Sequence, residues 1–121
     1  MTAFHDSHDF AFTRELERAF ARILAEERGL ARDEYLDSPD SLTTVADGYD
    51  ETGWKYFALV GGGAGERERS ARFPATIAAC RAVPGLVNAG FSQFLPGTRL
   101  YPHRGAIAGV LRCHLPLVVP E

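Results

Sequence analysis

Lysine is almost missing from this chain: Lys55 is the only one, and every other strongly basic residue is an arginine. The thirteen lysines and arginines never gather into a block, and sixteen acidic residues leave a formal charge of -3. A nucleic-acid surface needs a concentrated basic face, so none is expected. Cysteine is scarce too. Cys80 and Cys113 cannot build the bridged framework of a small secreted domain. Two buried thiols in a reducing compartment are the expected state, with a single bridge as the alternative. No apolar run reaches the roughly 20 residues of a membrane span. The first ten residues carry His5, Asp6, His8 and Asp9 but not the basic and apolar regions of a secretory signal. Repeats and low-complexity tracts are also lacking. These absences point to a cytoplasmic, single-domain protein that contacts neither membrane nor nucleic acid.

What is present is ordinary globular material, with 45% hydrophobic and 24% charged residues in 121. Phe12, Leu16, Phe20, Ile23 and Leu24 recur at helical spacing. A helix over 13–28 follows, capped by Thr13 and stopped at Arg28-Gly29. Residues 30–53, rich in Asp, Ser, Thr and Gly, read as a long connection with a short helical turn near Ala31 to Leu36. Trp54 to Val60 is aromatic and β-rich between glycines, which predicts a strand. The glycines at 61–63 and 65 fit no phosphate-loop spacing, and a turn is expected there. Phe73-Pro74 opens a second helix that Val83-Pro84-Gly85 ends, with Ile77, Cys80 and Ala78 or Ala79 on its buried side. Strands are expected over 86–94, 98–102 and 109–119. Helices followed by strands define an α+β pattern, the helices buttressing one face of a sheet.

The chemistry concentrates in the last third. Strand alternation places Val110, Arg112 and His114 on one face and Leu111, Cys113, Leu115 and Leu117 on the other. The second set reads as core, so a guanidinium and an imidazole share the opposite face. An exposed sheet face would accommodate them without any role. In the lumen of a small barrel they would need an anion, and the planar fork of arginine suits a carboxylate. Gly90 and Ser92 leave room for close approach on the preceding strand. His103, stiffened by Pro102, has the chemistry of a metal ligand. Gly105, two residues on, stands where many non-haem iron oxygenases carry an acidic ligand.

The run Phe91-Ser92, Pro96-Gly97-Thr98, Pro102-His103-Arg104-Gly105, Val110 to Leu115 and Leu117 to Pro120 resembles the aspartyl/asparaginyl β-hydroxylase family. The family pattern P-G-T-x-x-x-P-H-x-G followed by R-x-H-L-x-L-V-x-P is met at nearly every position; Pro116 is a departure. The resemblance implies a double-stranded β-helix, here a partial cupin-like jelly roll with two buttressing N-terminal helices. It implies iron(II) held in part by His103, and the cosubstrate 2-oxoglutarate contacted by Ser92, Arg112 and His114. It also implies hydroxylation of an aspartyl, asparaginyl or prolyl residue, free or in a peptide. The family's second iron-binding histidine and a further arginine have no counterpart after His103. Residues 1–121 are therefore expected to form one incomplete domain, helical and looped over 1–85 and β-helical over 86–121. A catalytically inactive fragment is the alternative reading, acting as an interaction or small-dicarboxylate-binding module. An open sheet edge would favour self-association.

Overall fold

A computed structural model describes residues 4–39, 53–99 and 109–119. After a 3-10 turn at Ser7–Asp9 come α1 (Phe12–Arg18) and α2 (Phe20–Arg28), a 3-10 turn at Arg32–Glu34 and β1 (Leu36–Asp37). Then follow β2 (Trp54–Val60), α3 (Glu66–Ala71), α4 (Pro74–Arg81) and β3 (Ala89–Phe94). The three strands form an antiparallel sheet in the order β1-β2-β3. The arrangement is α+β.

The expected first helix is there, but it is broken at Ala19. That residue's N–H is shared between the carbonyls of Glu15 (3.1 Å) and Leu16 (3.2 Å), which tightens the turn where α1 ends and α2 begins. Thr13 does not cap it. Its hydroxyl donates to the carbonyls of Ser7 (3.0 Å) and Phe10 (2.8 Å), tying the helix start to the turn before it. In α4, Pro74 occupies the first turn as expected, where its missing N–H costs nothing. Ile77 and Ala79 pack on the core, Cys80 is half-buried and Ala78 is exposed.

One face of the sheet forms the core. Phe57 and Leu59 of β2 and Phe91 of β3 meet Ala19, Ile23, Leu30, Tyr35 and Phe73. Phe73 sits at the centre of an aromatic chain: its ring lies 5.5 Å from Phe57 and 5.4 Å from Phe91, both edge-on. Phe57 in turn stacks edge-on against Tyr35 at 6.3 Å. The Tyr35 hydroxyl donates to Glu27 at 2.9 Å, and burial first, then that carboxylate, push its pKa up.

The two helices are fastened by one carboxylate. Glu26 of α2 accepts from the Ala75 N–H (2.9 Å), the Thr76 N–H (2.7 Å) and the Thr76 hydroxyl (2.6 Å) at the start of α4. It satisfies donors that a helix start otherwise leaves open. Burial opposes its ionisation, but the bonds from Thr76 and Ala75 outweigh burial and hold the Glu26 carboxyl below the ordinary glutamate range. A depressed folded pKa adds stability that is complete above the unfolded value and vanishes as pH falls through the folded one. Glu26→Ala is expected to cost about 1–2 kcal/mol at neutral pH. In urea titrations the deficit should shrink below the ordinary glutamate pKa; a deficit as large in acid as at pH 7 would contradict the assignment.

The glycine-rich segment after β2 is a turn, as expected, but it is braced rather than loose. Arg69 of α3 donates to the carbonyls of Ala58 (2.9 Å), Ala64 (2.8 Å) and Gly62 (3.3 Å). Glu66 accepts from the Gly62 N–H at 2.9 Å. The Gly62 N–H, a donor of the kind a phosphate would need, is thus engaged by the protein itself.

Beyond β3 the expectations fare unevenly. The expected strand 86–94 is shorter, and 100–102 of the strand 98–102 lie outside the described residues. Residues 109–119 form no strand, contrary to the alternation reading. Among the described residues the sheet order places no strand beside them, and Pro116 has no N–H to give one. Part of the alternation survives in the side chains: Leu115 and Leu117 rest against the core while His114, Pro116 and Val118 are exposed. Leu111 is 64% exposed and so is no part of the expected core. Nor are the thiols both buried: Cys80 is half-buried and Cys113 exposed, and both are unbridged. Desolvation pushes both thiols up, away from the thiolate a nucleophile needs.

Candidate functional site

The second face of the sheet has a different composition. Register pairs Trp54 with Phe94, Tyr56 with Ser92 and Ala58 with Gly90, and Leu36 of β1 lies opposite Tyr56. Because Phe57 and Phe91 are committed to the core, these alternate residues point the other way. The result is an aromatic floor around the Ser92 hydroxyl.

Trp54 is 6% exposed although it is no part of the core cluster. Its ring lies 5.8 Å from that of Phe94, and its indole Nε1–H donates to Ser92 Oγ at 3.1 Å. Gly90 is required where it stands. A Cβ there would lie 2.6 Å from the Phe57 carbonyl oxygen and would collide with the Tyr56 ring, which covers the glycine. Past Phe94 the chain turns at Pro96-Gly97 as expected. Thr98 donates its N–H (3.1 Å) and its hydroxyl (2.6 Å) to the Leu95 carbonyl, with Gly97 at φ 80° in the left-handed region. The Leu95 N–H bonds the Gly53 carbonyl at 2.8 Å, so the turn is locked to the start of β2. A shallow cavity of about 270 Å³ opens there between Gly53, Lys55 and the turn Leu95–Thr98.

Ser92 is exposed on this second face, and Arg112 and His114 are exposed on the C-terminal segment. A guanidinium, an imidazole and a hydroxyl are each groups that can donate to an anionic ligand. His103 lies outside the described residues. Among the described residues no group of three His, Cys, Asp or Glu side chains could hold a metal ion. No described helix is long and apolar enough to cross a membrane. Trp54 is the residue that sequence reasoning missed here. It was legible as a strand residue, but its bond to Ser92 spans 38 positions and has no local signature.

Residues 17–121 match the family model described as aspartyl/asparaginyl beta-hydroxylase, and the chain belongs to that family. It is also 40% identical over 119 residues to the ornithine lipid ester-linked acyl 2-hydroxylase of Rhizobium tropici. That similarity covers 97% of this chain and 42% of the relative, so the chain spans about two fifths of the relative's length. No solved structure matches.

Proposed function

We propose that this chain supplies part of the active site of an iron(II)- and 2-oxoglutarate-dependent hydroxylase. Its substrate in this reading is an acyl group of a polar lipid, hydroxylated at the carbon next to the carbonyl. One observation carries the reading: in a chain of the hydroxylase family, Ser92, Arg112 and His114, which this reading assigns to the cosubstrate, are all exposed. The acyl substrate is favoured by the named activity of the Rhizobium tropici relative. An aromatic and aliphatic floor of Trp54, Tyr56, Phe94 and Leu36 beside Ser92 suits such a chain better than it suits a charged amino acid.

In this reading Arg112 holds a carboxylate of 2-oxoglutarate with its planar fork, His114 donates to the same anion, and Ser92 hydrogen-bonds a carboxylate oxygen. His103 is assigned to the metal. When bound, iron and 2-oxoglutarate supply the oxidising chemistry: one atom of O2 enters the substrate C–H bond, the other enters succinate, and CO2 leaves. The protein's own residues bind and orient the anion and keep the reacting carbon dry.

The assay supplies the protein with Fe(II), 2-oxoglutarate, O2 and an ornithine lipid, with aspartyl, asparaginyl and prolyl peptides in parallel. The expected outcome is succinate together with a lipid product one oxygen heavier, the oxygen on the acyl chain. Product only from a peptide would overturn the lipid reading. Neither product nor succinate above a protein-free control would overturn the hydroxylase reading for this chain.

A further inference from the structure

We propose that Leu36 determines which acyl chains are accepted: the ester-linked chain of the substrate crosses the sheet from Ser92 over Tyr56 and comes to rest on Leu36. The inference rests on the reading that a lipid acyl group is hydroxylated on this face. It goes further by giving the chain a direction, a contact and a minimum length.

Register supplies the direction. Leu36 of β1 pairs with Tyr56 of β2, and Tyr56 pairs with Ser92 of β3, so the three residues form one row across the strands. Directly paired residues project from the same face of a sheet. β1 shows the same facing on its own: Tyr35 is buried in the core, and Leu36, next in the chain, is 72% exposed. Two interstrand steps separate Leu36 from Ser92, a span of about 10 Å.

A single exposed leucine ordinarily calls for no explanation. This one stands at the end of that row, and the backbone around it is pinned. The Ser38 N–H donates to the Trp54 carbonyl at 3.0 Å, and Lys55 donates to Asp37 at 2.5 Å. Just ahead of β1, Arg72 grips both carboxylate oxygens of Glu34 at 2.6 and 3.2 Å. A strand of only two residues is thereby held in place while its leucine faces outward. Other routes from Ser92 are poorer. Toward the start of β3 the Tyr56 ring already covers Gly90, and beyond β3 no described strand continues the sheet.

The physical consequence is selection by chain length. Covering the Tyr56 ring and Leu36 removes apolar surface from water, which favours a ligand that reaches both. A chain too short to cross the row gains nothing from Leu36. Among the described residues β1 is the edge of the sheet, so carbons past Leu36 run off it. The row therefore sets a lower limit on chain length and no upper one.

The test is calorimetry with two soluble ornithine-lipid analogues that differ only in their ester-linked chain, dodecanoyl or butanoyl, with Zn(II) and 2-oxoglutarate present. The dodecanoyl chain spans the row and the butanoyl chain does not, so the parent should bind the dodecanoyl analogue more tightly. Leu36→Ala should reduce that preference about 5-fold, the worth of covering one side of a leucine rather than enclosing it. Leu36→Met, close in volume, should restore it. An undiminished preference in Leu36→Ala, or a parent that binds both analogues equally, would overturn the proposal and leave the lipid reading standing. A parent that binds neither analogue would remove the lipid reading, and this inference with it.

Because Leu36 is exposed, its replacement should leave the thermal midpoint in place. Should the variant fail to fold, nuclear magnetic resonance of the parent decides the matter. The Leu36 methyl signals should shift with the dodecanoyl analogue and stay put with the butanoyl one. Equal responses to the two, or none in a parent that binds the dodecanoyl analogue by calorimetry, would overturn the proposal.

Discussion

Phe73→Ala should lower stability by about 3–5 kcal/mol, the range for removing a buried phenylalanine. With Leu59, Phe73 is one of the two most deeply buried large side chains among the described residues. Phe73 is 2% exposed and joins the β2 and β3 aromatics at 5.5 and 5.4 Å, while its neighbour Pro74 opens α4. The Arg72 guanidinium also lies 5.4 Å over its ring and is held there by Glu34 at 2.6 Å. That ion pair holds Glu34 below the usual carboxylate range, the Arg72 bond being the main cause. Truncation would open a void where the helices meet the sheet. Small domains have only about 5–15 kcal/mol in total, so such a loss leaves little margin. Thermal unfolding followed by circular dichroism should show the midpoint falling by more than ~10 °C. Phe4→Ala provides the contrast, since Phe4 is 91% exposed and its loss should stay within about 0.5 kcal/mol. Equal effects from the two would refute the core assignment.

Arg112→Ala should have the largest effect on ligand binding. Arg112 is exposed, so the fold does not lean on its burial. Charge-assisted bonds to a carboxylate contribute about 1.5–3 kcal/mol, and their loss should weaken 2-oxoglutarate binding about 10- to 100-fold. Arg112→Lys should recover only part, because an ammonium cannot reproduce the two parallel bonds of the fork. Calorimetry of the three proteins side by side decides it. Full recovery by lysine would mean that charge alone matters, and unchanged binding in the alanine variant would remove Arg112 from the site.

How much of this could be read in the sequence depends on the range of the interaction concerned. β2 was legible because its aromatic and β-branched residues stand between glycines, and α4 because Phe73-Pro74 starts it. Pro96-Gly97 announced its turn. These are local signals, settled within a few residues. The break at Ala19 was not legible, since Phe12 to Leu24 keeps its helical spacing straight through it. α3 escaped because Glu66–Ala71 has no apolar stripe; its brace is Arg69, reaching back to the carbonyls of β2 and the glycine turn. The Glu26 cap on α4 bridges 50 positions and leaves no pattern in the sequence at all. For 109–119 the alternation told correctly which way Leu115 and Leu117 would face, but not that the backbone would form no strand, because pairing depends on a neighbour rather than on the segment itself. The family was legible from the spacing of Pro96-Gly97-Thr98, His103, Arg112 and His114. Trp54 was not, because its role comes from a register that only the folded sheet sets.

The most direct test is a titration of isotopically labelled protein with 2-oxoglutarate and Zn(II), following backbone amide signals. The account predicts that Ser92, Arg112 and His114 shift together with one affinity while Phe73, in the core on the sheet face opposite Ser92, stays put. Shifts confined to the cavity between Ser7 and Glu17, or no shift at all, would contradict it.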